Sequence, residues 1–333
     1  MRISINGFGR IGRSVFRILN TRDDLEIVAI NDVSSKEALA YLLKYDTVMG
    51  RFPDSVELID DKLVTSKHQV KMLGEMDPSK LPWKALNVDI VIEATGRFRK
   101  KVELDQHVSA GAGHVILTVP AKDEIDYTVV IGVNDADLKW EHKIISNASC
   151  TTNCLAPMAK ILNDAFGIEF GVINTIHAYT NDQRLADVPH TDWRRGRTAA
   201  ENVIPTTTGA ARAVGTVLPE LKGKLDGIAM RVPVPDGSVV DLVARLKSNV
   251  TVEDINNAVM EASESDQYKN VLEYSILPVV STDIIGNPHS SIYDAPFTRI
   301  IEGNLIKTLN WYDNEWGYSN RVVDLIDLLG LLA

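Results

Sequence analysis

The chain has 333 residues, enough for two domains at about 150 residues each. Lys plus Arg number 35 against 45 Asp plus Glu, a net charge of −10, which argues against nucleic acid and anionic membranes as partners. The composition, 45% hydrophobic and 24% charged, is that of an ordinary globular chain, and no apolar run approaches the roughly 18 residues of a spanning helix. Met1-Arg2 leads directly into strand-like Ile3-Ser4-Ile5 without an apolar signal segment, so a cytoplasmic protein is expected.

The first 150 residues alternate β-branched runs with helical stretches, the pattern of parallel strands joined by crossover helices. Strands are expected at 2–6, 25–31, 88–93 and 114–117, with helices at 11–20, 36–44 and 102–110. Gly7, Gly9 and Gly12 form G-x-G-x-x-G between the first strand and first helix, where the turn, the pyrophosphate approach and the helix–strand packing each call for glycine. Asp32 ends the second strand 20 residues beyond Gly12, placed to accept ribose hydroxyls and repel a 2′-phosphate, so NAD is the expected cofactor; its bland alternative is a turn cap. Thr95-Gly96 and Thr118 follow later strands at the ends that face a ligand, although each taken singly is more often a turn residue.

From Ser149 the texture changes. An apolar helix follows Cys150, then a strand at 170–176 and a polar stretch from Tyr179 to Asn202 without periodicity, a length typical of functional loops. Strands at 227–232, 238–246 and 305–311, with a helix at 252–263, suggest a helix-backed, largely antiparallel sheet. Residues 316–332 read as a helix with a wide apolar face, expected to pack on the first domain.

Only two cysteines occur, too few for a disulfide framework and without the partners of a metal site. Cys150 opens a helix, where unpaired N–H groups and the dipole favour a thiolate and are expected to lower its pKa toward neutrality. Cys154, one turn deeper, reads as a small core residue. His177, at the end of the following strand, is the expected base; His68, His107, His114, His142, His190 and His289 lack comparable context.

The segments Ile5 to Arg13, Ser146 to Cys154 and Trp311 to Glu315 together resemble the phosphorylating glyceraldehyde-3-phosphate dehydrogenases, across nearly the whole chain. The resemblance implies a Rossmann-type doubly wound sheet at 1–149, with helix 315–333 packed back on it, and an α+β catalytic domain at 150–314. It implies Cys150 as nucleophile, His177 as base, and a thioester split by inorganic phosphate. Arg10 and Ile11 would hold the pyrophosphate and Asn314 the nicotinamide carboxamide. Thr180, Asp182 and Arg231 would bind the phosphate of glyceraldehyde 3-phosphate, while Ser149, Thr151, Arg195, Thr208 and Gly209 would border the attacking phosphate. Arg195, Arg197 and Arg231 are expected to concentrate positive charge there. Val188-Pro189 resembles a loop that reaches a neighbouring subunit, implying a homotetramer. Met76 departs from the Arg of many relatives before Asp77-Pro78. The rival within this resemblance is erythrose-4-phosphate dehydrogenase, towards which Asn287 to Ser291 and Leu305 to Leu309 lean; a rival of another class is a non-catalytic redox sensor.

Overall fold

A computed structural model describes residues 1–333. The chain forms two compact units, one of Met1–Val129, Asp137–Ser149 and Ser319–Ala333, the other of Val130–Ala136 and Cys150–Tyr318. Sequence patterning placed 130–136 in the first domain and began the returning helix at 315; the short 130–136 excursion and the first turn of that helix belong to the second unit.

The first unit is built on a nine-stranded sheet, as the mixed α/β class requires. Arg2–Asn6 is flanked by Ile90–Glu93 on one side and Glu26–Asn31 on the other, both parallel to it. His114–Leu117, Ile144–Ser146 and Tyr127–Thr128 extend one edge in parallel; Gln69–Leu73 extends the other before the antiparallel Lys62–Val64 and Glu57–Ile59. Ile3, Ile5, Ile90, Val91, Ile92, Val115, Ile116 and Leu117 are all fully buried whichever face they point to, which explains continuous apolar runs where a half-exposed sheet would alternate. The small strands between 45 and 73 carry no such run, and composition alone does not reveal them.

The second unit has an eight-stranded sheet in which Ile168–Ala178 lies between Leu225–Val232, parallel, and Ser238–Leu246, antiparallel. Leu305–Tyr312 continues beyond Ser238–Leu246, antiparallel to it. Helices Cys150–Phe166, Ala210–Val217 and Val252–Glu264 belong to this unit, the second unforeseen because its Gly and Ala content gives little periodic signal. Phe170, Val172 and Ile228 stand exposed on the sheet.

The final helix, Trp316–Leu332, buries Val322, Leu325, Ile326 and Leu329 completely, and Arg22 binds its Asp327 through two 2.9 Å hydrogen bonds. No helix is long and apolar enough to cross a membrane. Truncating Leu325 to Ala should cost about 2–5 kcal/mol, the usual penalty for an unfilled core position, in denaturant unfolding. A loss under about 1 kcal/mol would show that this helix is not held by its apolar face.

Candidate active site

In the first unit the chain moves outward from Arg2–Asn6 in one direction to Glu26–Asn31 and in the other to Ile90–Glu93, so the strand order reverses at the carboxyl end of the first strand. Ligands bind open α/β sheets at such switch points. Gly7 sits there at φ +95°, its N–H donating to Asn31 O at 2.8 Å, and a Cβ on it would lie 2.6 Å from Thr95 N. A Cβ on Gly12 would lie 2.1 Å from Gly7 O, so the helix can approach the strand only without one. Gly9, by contrast, faces open space and caps helix Arg10–Leu19 without any side chain, the kind of helix start at which an anion can be received. The Arg10 guanidinium itself pairs with the buried Asp46 carboxylate, so its backbone is the better placed part. Asp32 is fixed by Phe8 N at 2.8 Å and Ser34 N at 2.9 Å, one on each oxygen.

Thr95 is set by Glu93, whose Oε1 accepts from Thr95 N at 2.9 Å, and Gly96 adopts φ +67°. Thr118 donates its hydroxyl to Glu93 O at 3.0 Å. Glu93 is fully buried and also meets Asn6 Nδ2 at 2.5 Å and His107 Nε2 at 3.0 Å, while Trp83 Nε1 donates to His107 Nδ1 at 3.0 Å. That network gives His107 a structural place beneath the switch point. Met76 is exposed. An uncapped helix start, an open glycine and a fixed acid on the second strand together fit a dinucleotide.

In the second unit a helix begins at Cys150, shortly after Ala148 takes φ +52°. A non-glycine residue there costs roughly 1–2 kcal/mol, strain placed just ahead of the thiol. Cys150 Sγ lies 3.5 Å from His177 Nε2. The parallel register sets His177 beside Arg231, whose Nη1 is 2.7 Å from His177 Nδ1 and 2.9 Å from Ala178 O. His177 Nδ1 is also 2.7 Å from Ala178 O. With the proton on Nδ1, the ring donates to Ala178 O and turns the Nε2 lone pair to the thiol; with it on Nε2, Arg231 donates to Nδ1.

Burial pushes the Cys150 thiol up, opposed by the Arg231 charge and by hydrogen bonds from Thr151. The lowering expected from the helix start is therefore outweighed by loss of water. Burial, and then Arg231, push His177 down to about 3. Cys154 is fully buried against Ser291 and Asn310 O, and burial holds its thiol far above the ordinary range.

The predicted anion residues gather unevenly. Thr180 donates to Asp182, and Arg195 binds Asp182 and, through Nε, Thr206 at 2.9 Å, so Arg195 joins the Thr180–Asp182 group. The charges of Arg231, Asp182 and Arg195 all reach His177. Thr151 turns to the thiol and to Tyr312, with its hydroxyl 2.8 Å from Tyr312 Oη. Ser149 is half-buried immediately before the helix. Thr208 accepts from Ala210 N at 3.2 Å, leaving Thr206 in the contact with Arg195, and Gly209 opens helix Ala210–Val217 facing empty space. Arg197 instead pairs with exposed Asp187 at 2.8 Å, so the loop's positive charge does not converge as a block. The half-buried Arg231 keeps its own buried Nε–H without a partner in the chain, a donor suited to an anionic ligand.

Sequence patterning assigned no role to Tyr312, Thr175 or Ser238. Tyr312 Oη meets both Thr151 and Thr175, its ring packs edge-on to His177, and Ser238 donates to Asn314 Oδ1 at 2.6 Å. Strand alternation could have aligned Thr175 with His177, but only the pairing of distant strands brings Tyr312 to them.

Replacing Arg231 by Leu removes a charge that favours the Cys150 thiolate. Iodoacetamide modification of Cys150 should slow at pH 7 and its pH midpoint should move up, while Cys154 stays unmodified. An unmoved midpoint would separate Arg231 from the thiol.

Residues 149–314 match the glyceraldehyde 3-phosphate dehydrogenase C-terminal domain, and residues 1–101 match the NAD binding domain of the same family. The glyceraldehyde-3-phosphate dehydrogenase of Borreliella burgdorferi is 55% identical over 99% of this chain and 99% of its own. That of Streptomyces coelicolor is 53% identical over 99% and 98%, and that of Priestia megaterium 55% over 98% and 97%. With the thiol–imidazole pair and the switch-point glycines in place, these likenesses make the chain a member of the glyceraldehyde-3-phosphate dehydrogenase family.

Proposed function

We propose that the chain oxidises D-glyceraldehyde 3-phosphate with NAD and inorganic phosphate to 1,3-bisphosphoglycerate. The observation that carries this reading is the 3.5 Å Cys150–His177 contact beside an arginine with an unpaired N–H. Isolated, either charge is costly in this buried place, but proton transfer from Sγ to Nε2 creates both at once without adding net charge. The thiolate attacks the aldehyde carbon, and the carbonyl oxygen takes the proton from His177 Nε2, giving a thiohemiacetal on Cys150 and a neutral imidazole. His177 Nε2 then accepts the hydroxyl proton as the C–H bond gives up its hydride, leaving a thioester. NAD, when bound, supplies the hydride acceptor. A phosphate oxygen attacks the thioester carbonyl, and Sγ departs as thiolate.

Arg231 and Thr180, with Asp182, hold the substrate's phosphate; Arg195, paired with Asp182, joins Gly209, Thr208, Ser149 and Thr151 in bordering the attacking phosphate. Asn314, its Oδ1 occupied by Ser238, presents its amide N–H2 to the nicotinamide carboxamide. The reading of glyceraldehyde 3-phosphate over erythrose 4-phosphate rests on these anion-site residues. In the Asn287–Ser291 segment Asn287 donates to Glu273 at 2.8 Å and His289 meets Lys269 O, both away from these residues. Four copies assembling as a homotetramer would cover Phe170, Val172 and Ile228 on the sheet and the exposed Leu185 and Trp193 of the 179–202 loop. A tetramer working in the cytoplasm completes the reading.

Cys150→Ser should lose at least about a thousandfold in activity, whereas Cys154→Ser should retain most of it. NADH formation should require phosphate for continued turnover and be faster with glyceraldehyde 3-phosphate than with erythrose 4-phosphate. Faster turnover of erythrose 4-phosphate, or equal losses in the two serine variants, would contradict this assignment.

A further inference from the structure

Asp236 and Asp313 are both 1% exposed. Asp313 Oδ1 accepts from Glu315 N at 2.8 Å and Trp316 N at 2.6 Å, and its Oδ2 accepts from Gly286 N at 2.7 Å. Asp236 Oδ1 accepts from Gly237 N at 2.9 Å, but its buried Oδ2 has no hydrogen-bond partner, and the Asp313 carboxyl is the nearest-acting charged neighbour of the Asp236 carboxyl. Two carboxylates sharing one dry space cannot both ionise near neutrality. The three amides on Asp313 favour its charged form, so the shared proton resides on Asp236. Burial and the neighbouring Asp313 and Glu315 raise Asp236 to about 9.

The groups around the pair are otherwise few in kind. Glu315 faces it from the start of the last helix, and the Cys150 thiol of the nucleophile helix feels its charge. The Ser281–Ile284 turn and the following Gly286 contribute backbone, with Asp283 accepting from Val280 N. Both acids sit next to site residues. Asp236 is two residues from Ser238, whose Oγ accepts from Ala178 N at 3.0 Å and donates to Asn314 Oδ1 at 2.6 Å; Asp313 directly precedes Asn314.

We propose that Asp236 is a positioning residue which, as the neutral acid, donates its carboxyl proton to Asp313 and thereby holds Ser238 and Asn314 for the nicotinamide carboxamide. The proposal rests on the reading of Asn314 as the partner of that carboxamide. Losing the proton sets two negative charges against each other at the root of Asn314. The folded state binds this proton where the unfolded chain has released it, so its stabilisation is full below the ordinary aspartate range and is lost as pH rises to about 9.

Asp236→Asn keeps the shape and supplies an N–H donor at every pH; Asp236→Ala removes the donor. The test is NAD affinity by quenching of intrinsic fluorescence from pH 7 to 10, together with thermal unfolding of the NAD-free protein from pH 5 to 9. In the parent, the NAD Kd should rise about tenfold by pH 10, the effect of one buried hydrogen bond to a charged group, while Asp236→Asn stays nearly flat. The melting temperature of Asp236→Asn relative to the parent should increase steadily across the unfolding series. Asp236→Ala should bind NAD about tenfold more weakly at pH 7. Parallel Kd profiles in the parent and Asp236→Asn, or parent-like affinity in Asp236→Ala, would overturn the proposal. Both readings are made without substrate, so turnover of glyceraldehyde 3-phosphate by the same parent preparation tests the functional reading separately.

Discussion

Strand register in the second unit's sheet is the constraint on which the chemistry depends. His177 pairs with Arg231 across one boundary, while Ser238 pairs with Tyr312 two strands away on the other side. Because side chains alternate between faces, a slip of one residue in any of these strands would send its polar group to the opposite face. Correct register instead puts Thr175, His177, Arg231, Ser238 and Tyr312 on the side that meets helix Cys150–Phe166, where Tyr312 links Thr151 to Thr175. Each group is then held by a partner from another strand, so the imidazole and thiol meet without either side chain being free to wander.

This precision comes with burial, and burial works against charge. It drives the thiol up and the imidazole down, and Arg231 reinforces the second effect while opposing the first. The consequence is a pair whose charges form most cheaply together. The same low-dielectric setting makes the Asp236–Asp313 contact meaningful, since in water two carboxylates would simply ionise. Site and support thus obey one rule: ionisation is permitted where a partner compensates it.

Much of the first unit was legible because its signals are local. A glycine pattern between strand and helix, and an acid at the end of the next strand, are separated by few residues and have a direct geometric meaning. Cys150 was legible from a helix start, and His177 from the end of the next strand. The small strands between Tyr45 and Leu73 were not, since they are short and bury only scattered residues such as Leu63, Val70 and Met72, too few to leave an apolar run. The Thr206–Arg195 contact, the Arg197–Asp187 pair and the place of Tyr312 depend on how distant segments fold together, for which one sequence carries no local mark. The direction of the thiol shift was misread for a related reason: helix position is visible in the sequence, but the depth of burial that outweighs it is not.

The proposed chemistry turns on an acyl group carried on Cys150. Mixing the NAD-loaded protein with glyceraldehyde 3-phosphate in the absence of phosphate, quenching in acid and measuring intact and peptide masses tests it most directly. The expected result is a single 3-phosphoglyceroyl adduct on the peptide containing Cys150, lost when phosphate is added before quenching. An adduct on another residue, or NADH released in stoichiometric amount with no protein-bound acyl group, would contradict it.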